Sequence, residues 1–352
     1  MQSILGVIFH FIGGFASGSF YIPFKKVKAW AWESYWIVGG IFSWLVIPFI
    51  AAWLTIPGFM NIIRTTDSST IFWTYFMGVL WGIGGCTFGL SMRYLGLSLG
   101  MAVVLGFTSA FGSLIPLIYR DIVNSPTGDR FSSMLHSKAG IIILLGVAVC
   151  LIGIVICGSA GVRKEKELST EHKQETIKEF NLKKGLAVAI VSGILSACFN
   201  YGIEAGKEMG KAAEAAGANS LFRNNVIFVV ILWGGLTTNL IWCMILNARN
   251  KTFGDYTNKA TPLVSNYIFS ALAGTTWFLQ FFFYGMGESR LGNGASSWIL
   301  HMAFIILVST MWGIILKEWK GVSRKTFATI LLGILTIIIS VILVGYGNSL
   351  KH

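Results

Sequence analysis

The sequence predicts an all-α polytopic membrane protein whose ten transmembrane helices form two inverted five-helix repeats. Three observations carry that expectation: a shortage of charge, ten long apolar windows, and an internal repeat. Of 352 residues, 54% are hydrophobic and 12% are charged, where a soluble domain carries about 25% charged. The charges cluster between long apolar stretches, which excludes an ordinary soluble enzyme. Lys and Arg exceed Asp and Glu by 12. In a soluble chain that excess would suggest a nucleic-acid surface; here it lies in the connections and reads as membrane orientation, with no nucleic-acid partner.

A helix needs about 20 mostly apolar residues to cross the roughly 30 Å hydrocarbon core. Such windows occur at 3–24, 34–54, 71–92, 97–119 and 139–161, and again at 185–204, 225–247, 263–286, 294–316 and 326–346. The first has no basic segment ahead of it, because Lys25, Lys26 and Lys28 follow it, so it reads as a span and not as a cleaved signal. Residues 163–184 carry seven basic and five acidic side chains, and form a charged cytoplasmic linker (162–184) between a first repeat (1–161) and a second (185–352). Eighteen of the 27 Lys and Arg fall in the odd-numbered connections. The positive-inside bias then puts those connections in the cytoplasm and both termini in the periplasm.

The repeat appears on sliding one half over the other. At an offset of 179, Gly6 meets Gly185, Gly14 meets Gly193, Ser17 meets Ser196 and Phe20 meets Phe199; at 196, Gly78 meets Gly274, Trp81 meets Trp277, Gly89 meets Gly285 and Leu95 meets Leu291. Each half has an odd number of spans, so the copies lie in opposite orientations. That is an architecture of secondary transporters, with a site near the midplane and rocking halves.

Sugars are held by polar groups that pair with hydroxyls and by aromatic faces that cover C–H patches. Trp277, Gln280 and Tyr284 are three and four residues apart, on one helical face. A Gln in hydrocarbon needs a partner or a wet cavity, and Gln280, Trp277, Tyr284, Trp81 and His301 are the substrate-binding candidates. Proton coupling needs a titratable group, and histidine titrates nearest neutral pH. His10 and His301 lie at a similar depth, about 10 Å from the outer surface, and are the leading coupling candidates. Glu204, at the outer end of the sixth span, is the next; its plainer role is an interfacial ion pair with Lys207. Glu33 reads as a loop-locking residue facing Lys25, Lys26 and Lys28, and Arg93 as an inner-face anchor.

Cys86, Cys150, Cys157, Cys198 and Cys243 sit in apolar stretches without metal-ligand spacing and read as small hydrophobes. No GxxxxGK[ST] or HExxH pattern occurs, so no ATP motor or metal site is expected. The expected cofactors are none, with a proton as coupling ion.

Several segments carry a family resemblance: Phe20-Tyr-Ile-Pro-Phe-Lys-Lys-Val-Lys28, Trp30-Ala-Trp-Glu-Ser34, Met92-Arg-Tyr-Leu-Gly-Leu-Ser-Leu-Gly100, Phe180-Asn-Leu-Lys-Lys-Gly-Leu186, Leu279-Gln-Phe-Phe-Phe-Tyr284, Ser297-Trp-Ile-Leu-His-Met302 and Leu316-Lys-Glu-Trp319. From end to end the chain resembles the bacterial L-rhamnose/proton symporters of the drug/metabolite transporter superfamily. The resemblance implies five-plus-five inverted repeats in the cytoplasmic membrane and proton-driven uptake of a 6-deoxyhexose. Two places depart from the enterobacterial pattern: residues 287–296, Gly-Glu-Ser-Arg-Leu-Gly-Asn-Gly-Ala-Ser, and Glu204, where those members look to have Asn. The alternative reading is an exporter or facilitator of another small metabolite with the same fold.

Overall fold

The structure is a computed structural model that describes residues 2–95, 97–125, 129–167, 182–315 and 319–350. Most of the charged linker, Gly96 and residues 316–318 lie outside the described residues, as do the side chains of Met92, Arg93 and residues 97–102. Among the described residues there is no strand. The long helices are α1 (Gln2–Ser19), α2 (Trp32–Thr55), α3 (Ser68–Leu95), α4 (Leu97–Ile122) and α5 (Lys138–Glu167), then α6 (Leu182–Ala205), α7 (Asn225–Asn250), α8 (Leu263–Leu291), α9 (Gly294–Ile315) and α10 (Arg324–Ser349).

Among the described residues, nine helices are long and apolar enough to cross a membrane. The exception is α8. Its 29 residues are ample in length, but Asn266, Ser270, Thr275, Thr276, Gln280 and Glu288 dilute its hydropathy. Outward faces are apolar at helical spacing: Ile4, Ile8, Phe11 and Phe15 on α1, and Leu331, Leu335, Ile338 and Ile342 on α10 are all exposed. With no water in hydrocarbon to satisfy an exposed backbone, helices with oily outer faces are the form such a chain takes. The chain is a multi-pass membrane protein.

Packing brings the two halves together. α1 lies against α8 and α9, α6 against α3 and α4, α5 against α10, α7 against α3, and α8 against α2. Glycines set the closest crossings. A Cβ at Gly274 would lie 2.0 Å from the Gly39 carbonyl oxygen, and one at Gly78 would lie 2.0 Å from that of Ile231. Small residues at such points let backbones approach where lipid gives no hydrophobic drive for association.

Two prolines shape the helices around the centre. Pro116, inside α4, has no N–H for the carbonyl four residues earlier. That carbonyl, on Gly112, instead accepts the Asn200 side-chain amide of α6 at 2.8 Å, and the next carbonyl back, on Phe111, accepts the Tyr201 hydroxyl at 3.0 Å. In α2 a π turn at Phe42–Val46 runs into Pro48, and this irregular turn carries Ser43 and Trp44 into the interior. Such turns recur at functional positions.

Candidate functional site

The interior is organised in layers along α8, the most polar long helix. Tyr284 stands at its centre with two imidazoles beside it. The ring centroids of His10 and Tyr284 are 5.3 Å apart, those of Tyr284 and His301 are 5.3 Å, and those of the two histidines are 5.9 Å. Three helices supply this triangle: α1 for His10, α8 for Tyr284 and α9 for His301. Glycines make room for it. A Cβ on Gly287 would lie 2.6 Å from His10 Nε2, and one on Gly13 would lie 3.0 Å from His301 Cε1.

Both histidines are buried, at 0% and 1% exposure. None of their four ring nitrogens has a hydrogen-bond partner in the protein, and neither does the Gln280 amide nitrogen. Buried polar atoms are ordinarily paired, so an unpartnered group of this density marks a place built to bind something other than its own chain. The Tyr284 hydroxyl is not idle: it donates to Asn200 Oδ1 at 3.4 Å, which joins the triangle to the Pro116 break in α4.

About one and a half to two turns away along α8 lies an aromatic layer. Trp277 packs on Trp81 (5.5 Å between centroids) and Trp44 (5.8 Å), and on Phe281 (4.8 Å), which stacks on Phe199 at 4.2 Å. Trp36 adjoins Trp44 at 6.1 Å. A polar layer of imidazole, phenol and amide thus lies along α8 next to a layer of indole and phenyl rings. Pockets of mixed aromatic and sparse polar lining are the usual form of small-molecule sites.

Beyond the triangle, α8 continues to Leu291 and ends on Gly292, whose φ of 65° is the left-handed cap that glycine adopts without strain. Glu288 on this last stretch is 6% exposed and accepts from Asn224 Nδ2 at 3.0 Å and Arg223 Nη2 at 3.2 Å. These groups, with Lys207 and Lys211, line a cavity of ≈ 220 Å³ that is open to solvent. Beside it Glu204 pairs with Arg120 and, at 2.8 Å, with Lys207.

The opposite end is closed by a polar network between the halves. Asp255 Oδ2 accepts the Ala31 N–H (2.8 Å) and the Ser34 hydroxyl (2.7 Å). Asn266 both accepts the Lys28 N–H (3.0 Å) and donates to its carbonyl (2.8 Å). Glu33 accepts from Asn250 and Thr252, each at 2.9 Å. Its partners are therefore at the end of α7, not the lysines expected from sequence, because the first turn of α2 points its side chain across to the other half.

Of the residues singled out in the sequence, His10, His301 and Tyr284 come together directly and Gln280 adjoins them. Trp81 and Trp277 meet in the aromatic layer. Glu204 touches neither histidine and sits 21% exposed at the rim. Sequence reading missed Asn200, Glu288 and Trp44. An amide inside the sixth span was visible by the criterion that found Gln280. Glu288 escaped because the apolar window stops at 286 while the helix runs on, and Trp44 had no amide or charged residue three or four positions away to set it apart from the other twelve tryptophans. Among the described residues no group of three or more His, Cys, Asp or Glu could hold a metal ion.

Buried polar groups contributed by both halves, a cavity open to solvent at one end and a hydrogen-bonded network at the other, all within a bundle of membrane-length helices, are the arrangement expected of a membrane transporter. The family model for L-rhamnose-proton symport proteins matches residues 1–350, and the chain belongs to that family, one of transporters and not of enzymes. The L-rhamnose-proton symporters of Yersinia pestis and Yersinia pseudotuberculosis are each 39% identical to it over 351 residues, covering 98% of both chains. A solved crystal structure of a protein only 10% identical superposes over 96% of each chain with a TM-score of 0.52, a likeness of fold alone.

Proposed function

We propose that this chain imports L-rhamnose, or a closely related 6-deoxyhexose, together with a proton across the bacterial cytoplasmic membrane by alternating access. The observation that carries this reading is the buried His10–Tyr284–His301 triangle, placed where α1 of one half meets α8 and α9 of the other, in a member of this family. The proton is the coupling ion and no cofactor takes part.

The ten helices act as two inverted repeats, 1–161 and 185–352, joined by the cytoplasmic linker, with both termini in the periplasm. Packing supports the pairing. Exchanging each helix for the one five places along turns α1 on α8 and α9 into α6 on α3 and α4, and α8 on α2 into α3 on α7; all of these contacts occur. Rings follow suit: Phe20 packs on Trp277 as Phe199 packs on Trp81.

In transport, the sugar enters by the cavity at Glu288 and Arg223 and offers its hydroxyls to Gln280, His301 and Tyr284, with Trp81 and Trp277 covering its C–H faces. A neutral imidazole has one donor and one acceptor, and a protonated one has two donors. A proton on His10 or His301 therefore changes which hydroxyls the site can hold. An imidazolium among buried rings is costly without a partner, so sugar and proton stabilise each other there and leave together once the inner network opens. Glu204, tied to Arg120 and Lys207, is the remaining coupling group, at the outer rim.

The test is labelled L-rhamnose uptake into proteoliposomes under an inward proton gradient. Accumulation above the outside concentration that a protonophore abolishes is expected. Mere equilibration would reject symport in favour of a facilitator, and no uptake would reject the sugar.

A further inference from the structure

We propose that a small pocket between Trp36, Trp44 and Trp277 receives the C5 methyl group of the sugar, and so is where this transporter reads the absence of a 6-hydroxyl. The inference rests on the sugar-transport reading above and adds to it a subsite and a specificity rule. The pocket is bounded by Phe20, Trp36, Gly40, Ser43, Trp44 and Trp277 among others, its exposed lining is almost wholly carbon, and it has room for about one water-sized group. A methyl group fits that space. A hydroxymethyl group exceeds it.

The shape is set by ring geometry. Trp44 stands nearly perpendicular to Trp277 (88°), and Trp36 closes on Trp44 at 65°, so the indoles form a corner and not a flat stacking face. Gly40 and Gly274 keep side chains out of it: a Cβ on Gly40 would lie 2.3 Å from Trp44, and one on Gly274 would strike the α2 backbone. Gln280 follows Trp277 by three residues, roughly 5 Å along the axis, so a single sugar ring can touch both the pocket and the polar layer.

A second observation points to the same occupant. Ser43 and Trp44 are 2% and 3% exposed, and neither the Ser43 hydroxyl nor the Trp44 indole N–H has a partner in the protein. C5 of a 6-deoxyhexose pyranose carries the methyl beside the ring oxygen, with the 4-hydroxyl one carbon away. An apolar corner adjoined by two unpartnered donors suits that edge of the molecule: carbon into the corner, oxygen to the donors.

Isothermal titration of the detergent-solubilised protein with three sugars tests this. L-Rhamnose has the methyl, L-mannose has a hydroxymethyl in its place, and L-lyxose has neither. An apolar pocket rejects an added hydroxyl by a factor of about 10 to 100, so L-rhamnose is expected to bind tighter than L-mannose by that ratio. Trp44→Phe widens the corner, and Ser43→Thr fills its edge with one methyl group. Each should cut the rhamnose-to-mannose ratio at least 3-fold, and Ser43→Thr, which keeps its hydroxyl, should leave L-lyxose binding within 2-fold. If both variants weaken all three sugars by a common factor, or the unaltered protein binds rhamnose and mannose alike, the subsite is wrong while sugar transport stands. If the unaltered protein binds none of the three, the transport reading itself falls, and the subsite with it.

Discussion

Two imidazoles 5.9 Å apart between ring centroids, with no hydrogen-bond partner for any nitrogen, are hard to explain as packing groups. A packing histidine in a helix bundle bonds across to a neighbour, and Gln or Asn would serve as well. His10→Gln and His301→Gln keep size and polarity but cannot titrate. Each is expected to abolish proton-driven accumulation of L-rhamnose while leaving exchange of internal for external sugar measurable. Uphill uptake at the unaltered rate in both variants would remove the histidines from coupling. Asn200 carries a separate expectation. Truncation to Ala strands the Gly112 carbonyl that Pro116 leaves without its helical donor, and frees the Tyr284 hydroxyl. An unsatisfied buried group costs about 1 to 3 kcal/mol, so the thermal midpoint should fall by several degrees, and Asn200→Asp should not restore it because a carboxylate offers no donor to a carbonyl. At this scale scarcity made the candidate site legible: with so few polar residues in the spans, His10, His301 and Gln280 were conspicuous. Trp44 was not, because nothing local distinguishes an indole facing a pocket from one facing lipid.

At the scale of helices, apolar length located each long helix, and the weakest of them is informative. α8 is the least hydropathic of the long helices because buried polar residues run along its whole length, from Asn266 at the closed end through Gln280 and Tyr284 to Glu288. A helix that binds a polar solute on one face cannot be oily all round. The same cause hid its true end, since Gly287, Glu288, Ser289 and Arg290 read as a loop. Close crossings were foreshadowed too: Gly78 and Gly274, matched in the internal repeat, each press on a carbonyl oxygen of the helix they cross, Ile231 for one and Gly39 for the other. Gly78→Ala and Gly274→Ala must push backbone, not a flexible side chain, and overpacking of this kind costs about 1 to 3 kcal/mol. Both variants should show lowered thermal midpoints in detergent. Gly254→Ala, with nothing within 4 Å of its new methyl, should match the unaltered protein; equal stability of all three variants would mean these crossings are looser than described.

For the molecule as a whole, the two ends of the site differ in what closes them. The end at Glu288 has a cavity open to solvent, whereas the end between residues 28–34 and 247–266 is sealed by hydrogen bonds that join one half to the other. No sequence pattern announces that seal, because its partners lie more than 200 positions apart. Asp255 is its hub: one carboxylate oxygen holds both the Ala31 N–H and the Ser34 hydroxyl at the start of α2. Breaking bonds that exist only when this end is shut destabilises that state alone, and a two-state equilibrium shifts by the differential free energy. Hydrogen bonds to a charged group contribute about 1.5 to 3 kcal/mol each, so loss of the pair is enough to move the population by tenfold or more. Asp255→Ala should therefore favour the arrangement open at this end and lower the apparent affinity for sugar offered from the opposite side. Spin labels at the exposed positions Lys26 and Lys259, placed by cysteine substitution, report the change directly: the distance distribution should widen and lengthen in Asp255→Ala without sugar. Asp255→Asn, which keeps an acceptor oxygen, should fall between. A distribution identical in all three proteins would show that the network fastens a loop and does not hold the gate.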